Sequence, residues 1–121
     1  MPIINENQFF TPIIEFDVAP ENQQALIDGI ADEVERYFKS YVGFISASFH
    51  ASEDGRRVIN YAQWRSKEDW VASGRVNGDD EATAAILEVL KRYGATPLRG
   101  KVDFFRVARV INNSESAVSR D

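Results

Sequence analysis

The chain has 121 residues, 44% of them apolar and 27% charged, which bounds it to one globular domain with a modest core. Its net charge of −5, with basic residues scattered rather than gathered into a stripe, excludes a surface built to hold nucleic acid. Cysteine is absent, which excludes disulfides, thiolate nucleophiles and Cys-based metal sites, and the single His50 cannot form a histidine cluster.

In chain order, the opening "MPIINENQFF" lacks the basic start and apolar run of a signal peptide, and no stretch approaches the ~18 apolar residues of a membrane span. The expectation is a soluble cytoplasmic protein, with residues 1–8 a flexible N-terminus, 9–111 the folded domain and 112–121 a disordered tail. Residues 9–18, "FFTPIIEFDV", read as a strand in which Ile14, Phe16 and Val18 alternate with Ile13, Glu15 and Asp17. "APEN" then marks a turn into a helix over 23–41, where Leu26, Ile30, Val34 and Phe38 recur every four residues and Ile27, Tyr37 and Tyr41 flank them. Gly43 stops it.

Residues 44–52, "FISASFHAS", give a second strand, Asp54-Gly55 a hairpin turn, and "VINYAQW" a third strand. "SKEDWVASG" reads as a short helix with Ser66 as N-cap and Asp69 three residues on. "DDEATAAILEVLKRYG" follows as a helix with Ala82, Ile86, Val89, Leu90 and Tyr93 inward, and 98–111 is expected as a fourth strand. The fold class is therefore α+β, a ferredoxin-like βαββαβ with a four-stranded antiparallel sheet and helices on one side. The sheet's second face also carries apolar and aromatic residues, among them Ile59, Tyr61, Phe105 and Val107. The simplest cover for that face is a second copy of the same sheet.

Two residues stand out on the third strand. A two- or four-residue loop at Asp54-Gly55 pairs Ala51 with Val58, Phe49 with Asn60, Ala47 with Ala62 and Ile45 with Trp64, all on the helix-covered face. His50, Ser48, Tyr61 and Gln63 fall on the other. Asn60 thus points into apolar space beside the Trp64 indole. A buried amide without partners costs about 1–3 kcal/mol, so backbone, water or a ligand must satisfy it. The reading without function is a core Asn bonded to a loop carbonyl, with Trp64 as filler.

The strand "VINYAQW" followed by "RSKEDWVA" resembles the antibiotic biosynthesis monooxygenase domain. The opening "IIEFDVAPENQQALI", the "GFISASFHASEDGRRVINYAQW" hairpin and the final strand extend the resemblance over about residues 11–110. It implies ferredoxin-like protomers that pair sheet to sheet as a dimeric α+β barrel, a homodimer through the sheet face. It implies oxygenases that oxidise aromatic polyketides such as anthrones, or quinols, with O₂ and no cofactor, metal or flavin. Asn60 and Trp64 match the family positions that line the pocket, so they are the expected catalytic pair, with Trp70, Phe49 and Ala62 as substrate-binding walls. The sequence departs from the family where a tyrosine six residues after the Trp is here Trp70. The alternatives are a non-catalytic dimeric domain that binds a hydrophobic ligand, and a haem-degrading monooxygenase, whose iron-ligating histidine has no counterpart in "SKEDWVASGRVNG".

Overall fold

The computed structural model describes residues 9–75, 78, 80–97, 103–111 and 113. The expectations for 1–8 and for the tail from 112 lie outside the described residues, apart from Asn113. The elements are β1 (Phe10–Asp17), a 3-10 turn (Pro20–Asn22), α1 (Gln23–Phe38), β2 (Phe44–Ala51), β3 (Arg57–Trp64), α2 (Lys67–Ala72), α3 (Glu81–Arg92), β4 (Thr96–Pro97) and β5 (Asp103–Arg106). The strands form one antiparallel sheet in the order β2-β3-β1-β4, with β5 also pairing β1, which is the ferredoxin-like plan. No helix among the described residues is long and apolar enough to cross a membrane.

The four-residue stripe builds the core as its spacing dictates. Leu26, Ile30, Val34 and Phe38 are the buried residues of α1, and burying each contributes on the order of 1.5–3 kcal/mol. From α3, Ala82, Val89 and Leu90 are buried, with Ile86 and Tyr93 packed at the margin. The helix α1 ends at Phe38, three residues before the expected boundary. A tight turn (Tyr41 N–H to Phe38 O, 2.9 Å) then folds the Tyr41 ring back over Phe38, 5.2 Å between centroids. At the start of α2 the Ser66 hydroxyl accepts the Asp69 N–H at 3.1 Å, the N-cap its sequence calls for.

The hairpin register holds over most of its length. Ala51 pairs Val58, Phe49 pairs Asn60 and Ala47 pairs Ala62, closed by a four-residue loop in which the Ser52 N–H bonds Arg57 O at 3.0 Å. It departs at the far end. A bulge between Phe44 and Ser46 adds a residue to β2, so Phe44 rather than Ile45 stands opposite Trp64. Ile45 turns out to solvent, 42% exposed, while the Phe44 ring meets the indole edge-on at 5.6 Å.

Of the fourth strand expected at 98–111, the described strand is Asp103–Arg106, and a separate two-residue strand, Thr96–Pro97, precedes it. Thr96 and Pro97 pair Asp17 and Phe16, and Asp103 to Arg106 pair Ile13 back to Phe10. On β1 only Ile14 and Glu15 separate the partners of these two strands. Residues 98–102 lie outside the described residues, and 107–111 follow β5 as irregular chain.

The outer sheet face carries what the alternation requires. His50 packs on Tyr61 at 5.1 Å between rings, and Ile13, Ile59 and Tyr61 are only half-buried. Gln63 on the same face is buried, and its Nε2 finds no hydrogen-bond partner among the described residues. On β1, Pro12 sits inside a central strand without an N–H to donate. The β1–β3 pairs run from Phe10 with Trp64 straight to Ile13 with Tyr61.

Gly43 joins α1 to β2 at φ 86°, and a Cβ there would fall on the Asp69 carboxylate. Gly94 has φ 63° with open space around it. Gly94→Ala is expected to cost about 1 kcal/mol from backbone strain alone, and Gly43→Ala clearly more because strain and collision add. Urea unfolding midpoints of the two variants check the order.

Candidate active site

The site is built from the inner sheet face and the helices over it. Asn60, Ala62 and Trp64 alternate along β3 and so share that face, with Pro12 and Ile14 beside them on β1. Phe38 closes the site from α1 and Trp70 from α2, and Arg75 reaches in from the chain just after α2. Together they enclose a partly open cavity of about 40 Å³. By the same measure one water needs ~10–15 Å³, while benzene enters cavities of ~150 Å³. The space as it stands takes a few waters, and a fused-ring ligand would have to push its walls apart.

Each wall has a reason to stand where it does. Trp64 is 1% exposed and packs against Phe38 at 6.0 Å, Tyr41 at 6.1 Å and Phe44 at 5.6 Å. Trp70 is held by Phe10 at 5.5 Å and by Phe104 at 5.1 Å. The Asn60 Oδ1 is buried and, among the described residues, has no hydrogen-bond partner. Among the described residues it is the one amide side chain that the sheet sends into the cavity.

Of the sequence-predicted residues, Asn60, Trp64, Trp70 and Ala62 come together around this space. Phe49 does not. It pairs with Asn60 across the ladder, but the cavity opens from β3 towards β1, and Phe49 packs against the core on the β2 side. Arg106 is exposed at the sheet edge opposite Phe10 and does not reach the cavity. His50 is on the outer face, away from the cavity. Among the described residues no group of three or more His, Asp or Glu side chains converges as metal ligands would.

Sequence reasoning missed Arg75, Phe38, Pro12 and Ile14. Phe38 was assigned to the core, which it also serves. Arg75 lies in "SGRVNGDD", a stretch that reads only as a helix break, and its role depends on where that break is folded. Its Nη1 lies 3.3 Å from Asp80 Oδ2 and donates to Thr83 Oγ1 at 2.8 Å, with the guanidinium carbon 4.9 Å above the Phe38 ring. Tyr41 donates to the same Asp80 Oδ2 at 2.8 Å, and Thr83 to Oδ1.

This network sets two protonation states. Burial opposes ionisation of Asp80, but bonds from Thr83 and Tyr41 and the charge of Arg75 outweigh it and hold the carboxyl below its usual range. Burial, then the bond to Asp80 and its charge, push the Tyr41 phenol up to about 12. Tyr41 therefore stays protonated at neutral pH. It backs the Trp64 ring rather than lining the cavity, so it does not replace the tyrosine missing at position 70.

With the geometry in place, comparison with known proteins decides the family. The family model described as antibiotic biosynthesis monooxygenase matches residues 9–76. The chain belongs to that family. Tetracenomycin-F1 monooxygenase of Streptomyces glaucescens is 48% identical over 63 residues, 52% of this chain and 56% of that protein, so the chain spans little more than half the length of this curated relative. The monooxygenase from the gene ActVA-Orf6 of Streptomyces coelicolor, solved with nanaomycin D, is 32% identical. That match covers 90% of this chain and 96% of that one at a TM-score of 0.69. SnoaB, a cofactor-independent oxygenase from Streptomyces nogalater, shares the fold at 15% identity and a TM-score of 0.61, covering 88% and 99% of the two chains.

Asp80 yields a prediction with a definite sign. Its carboxyl titrates lower in the folded chain than the ~3.9 of an unfolded Asp, so its stabilisation is complete above that value and is lost as pH falls through the folded pKa. Asp80→Asn is expected to destabilise the protein by about 1–3 kcal/mol at pH 7, with the gap to wild type narrowing below pH 3.9. Urea unfolding at pH 7 and at pH 3 measures both.

Proposed function

We propose that this family member is an oxygenase that oxidises a planar, electron-rich aromatic substrate, an anthrone-like polyketide or a quinol, with O₂ directly. The observation that carries the reading is the unpartnered Asn60 Oδ1, buried in a cavity walled by Trp64, Trp70 and Phe38. A polar group left without a partner among aromatic walls is what a ligand with a hydroxyl would complete. The two Streptomyces relatives at 48% and 32% identity, both named monooxygenases, support the same chemistry.

In this reading the substrate supplies the electrons. An anthrone CH₂ loses a proton to give an enolate, which passes an electron to O₂. The carbon radical and superoxide combine to a peroxide anion, which takes back one proton from solvent and loses water to leave the carbonyl. The balance is CH₂ + O₂ to C=O + H₂O, with one oxygen atom kept and the other leaving as water. The protein must hold the ring and steady the anion. Asn60 Oδ1 accepts a phenolic O–H and its Nδ2 donates to a developing oxyanion, while the Trp64 indole is a second donor. Aimed donors in a dry site contribute several kcal/mol to such a step. Trp70 and Ala62 shape the slot.

Oxygen uptake with a panel of anthrones and quinols tests the proposal. Asn60→Ala and Trp64→Phe are expected to lower the rate about 10²-fold with the fold intact by circular dichroism. Variants as fast as wild type would show that neither residue is catalytic, and binding without uptake would make the chain a hydrophobic-ligand binder.

The homodimer belongs to the same reading. Ile13, Ile59 and Tyr61 are half-buried on the outer face and Phe105 is 52% exposed, an apolar surface that a second copy of the sheet would cover. Light scattering is expected to give twice the 13.7 kDa chain mass, and Tyr61→Asp to shift the protein to monomer. A wild-type monomer at micromolar concentration would refute the pairing.

A further inference from the structure

Among the described side chains that enclose the cavity, Arg75 alone carries a charge. We propose that Arg75 binds the substrate as its phenolate or enolate anion, so that the site selects aromatic rings with an ionisable hydroxyl. The inference rests on the oxygenase reading for its effect on turnover, but its binding test stands apart from it.

The geometry gives the cavity the positive end of a fixed dipole. The Arg75 side chain is 16% exposed and its partner Asp80 only 5%. Arg75 lines the space and Asp80 does not. The carboxylate is further occupied by the Tyr41 and Thr83 hydroxyls, which spread its charge on the far side of the pair. Both anchoring contacts of Arg75 use Nη1, which leaves its other guanidinium N–H groups, among the described residues, for a ligand. Phe38 beneath the guanidinium fixes its plane. A cation held so firmly has already met its ordering cost before an anion arrives.

The charged and titratable groups around Arg75 stay constant over the useful range. Asp80 ionises below its usual range and Tyr41 near 12, so neither changes charge between about pH 6 and 10. A pH effect in that window belongs to the ligand. His50 sits on the other face of the sheet.

The probe is 1,8-dihydroxyanthraquinone, a planar phenol that does not react with O₂ and changes colour on ionisation. Bound to wild type, its ionisation midpoint is expected at least about one pH unit below the free value, a tenfold preference for the anion. Arg75→Lys should keep most of that shift. Arg75→Met/Asp80→Asn removes the charge without stranding the carboxylate, and should return the midpoint to the free value while binding persists. An unchanged midpoint in this double variant would overturn the proposal. So would failure of wild type to bind the probe.

Wild type alone supplies a second measurement that needs no variant to fold. Its affinity for the dihydroxy compound should rise about tenfold across the midpoint, and its affinity for 1,8-dimethoxyanthraquinone should not. Equal pH profiles for the two compounds overturn the proposal. Oxygen uptake run in parallel separates the two readings. A shifted midpoint without uptake from any anthrone or quinol upholds Arg75 as the anion site and removes the oxygenase. Uptake without a shift does the reverse.

Discussion

The buried indole of Trp64 is the contact on which the rest of the structure is arranged. It lies at the end of β3 and meets rings from three directions: Phe38 and Tyr41 from and just beyond α1, and Phe44 from β2. A large flat side chain fully removed from water contributes several kcal/mol through area and packing, and it tolerates little displacement. Once Trp64 is fixed, the two-residue repeat of the strand places Ala62 and Asn60 along the same face. Ala62 is small where its neighbours are bulky, so the packing that holds Trp64 also leaves room next to it. The core and the cavity are two results of one arrangement.

The opposite wall is held by charge rather than by rings. Between α2 and α3 the chain has little apolar surface to anchor it, and the link from Arg75 to Asp80 and Thr83 supplies the anchor. Asp80 is the N-cap residue of α3, and its carboxylate bonds side chains rather than the helix's own N–H groups. A sequence that used Asp80 only as a cap would have left Tyr41 and Arg75 without a common partner. The cost of bringing the ion pair into a poorly solvated place is offset by the three donors that converge on one carboxylate.

Much of this was legible in the sequence because the signals were periodic. The i, i+4 stripe from Leu26 to Phe38 has one geometric solution, and so does the alternation around Asn60 once the Asp54-Gly55 turn fixes the register. The departures come where periodicity carries no information. A bulge changes the count by one, and nothing in "GFIS" distinguishes Phe44 from Ile45 as the partner of Trp64. The stretch 98–111 reads as one strand because its residues favour extended chain, but among the described residues only Asp103–Arg106 of it pair with β1. Phe49 shares a face with Asn60, yet sharing a face does not say on which side of Asn60 the space lies. Arg75 was illegible for a different reason. Its meaning comes from contacts with residues five and eight positions away and with Phe38, 37 positions back, none of which forms a local pattern.

Pro12 carries a consequence for how the site responds to an occupant. A β-sheet resists spreading through the rungs between its strands, and a proline contributes one rung fewer. Here that missing rung lies in the floor of the cavity, between β1 and β3. The floor is thus a seam, firm at Phe10 and again from Ile13 onward, with a compliant stretch between them. A ring too large for the resting volume would strain the protein first along that seam, where yielding breaks the fewest bonds and leaves the Trp64 packing intact.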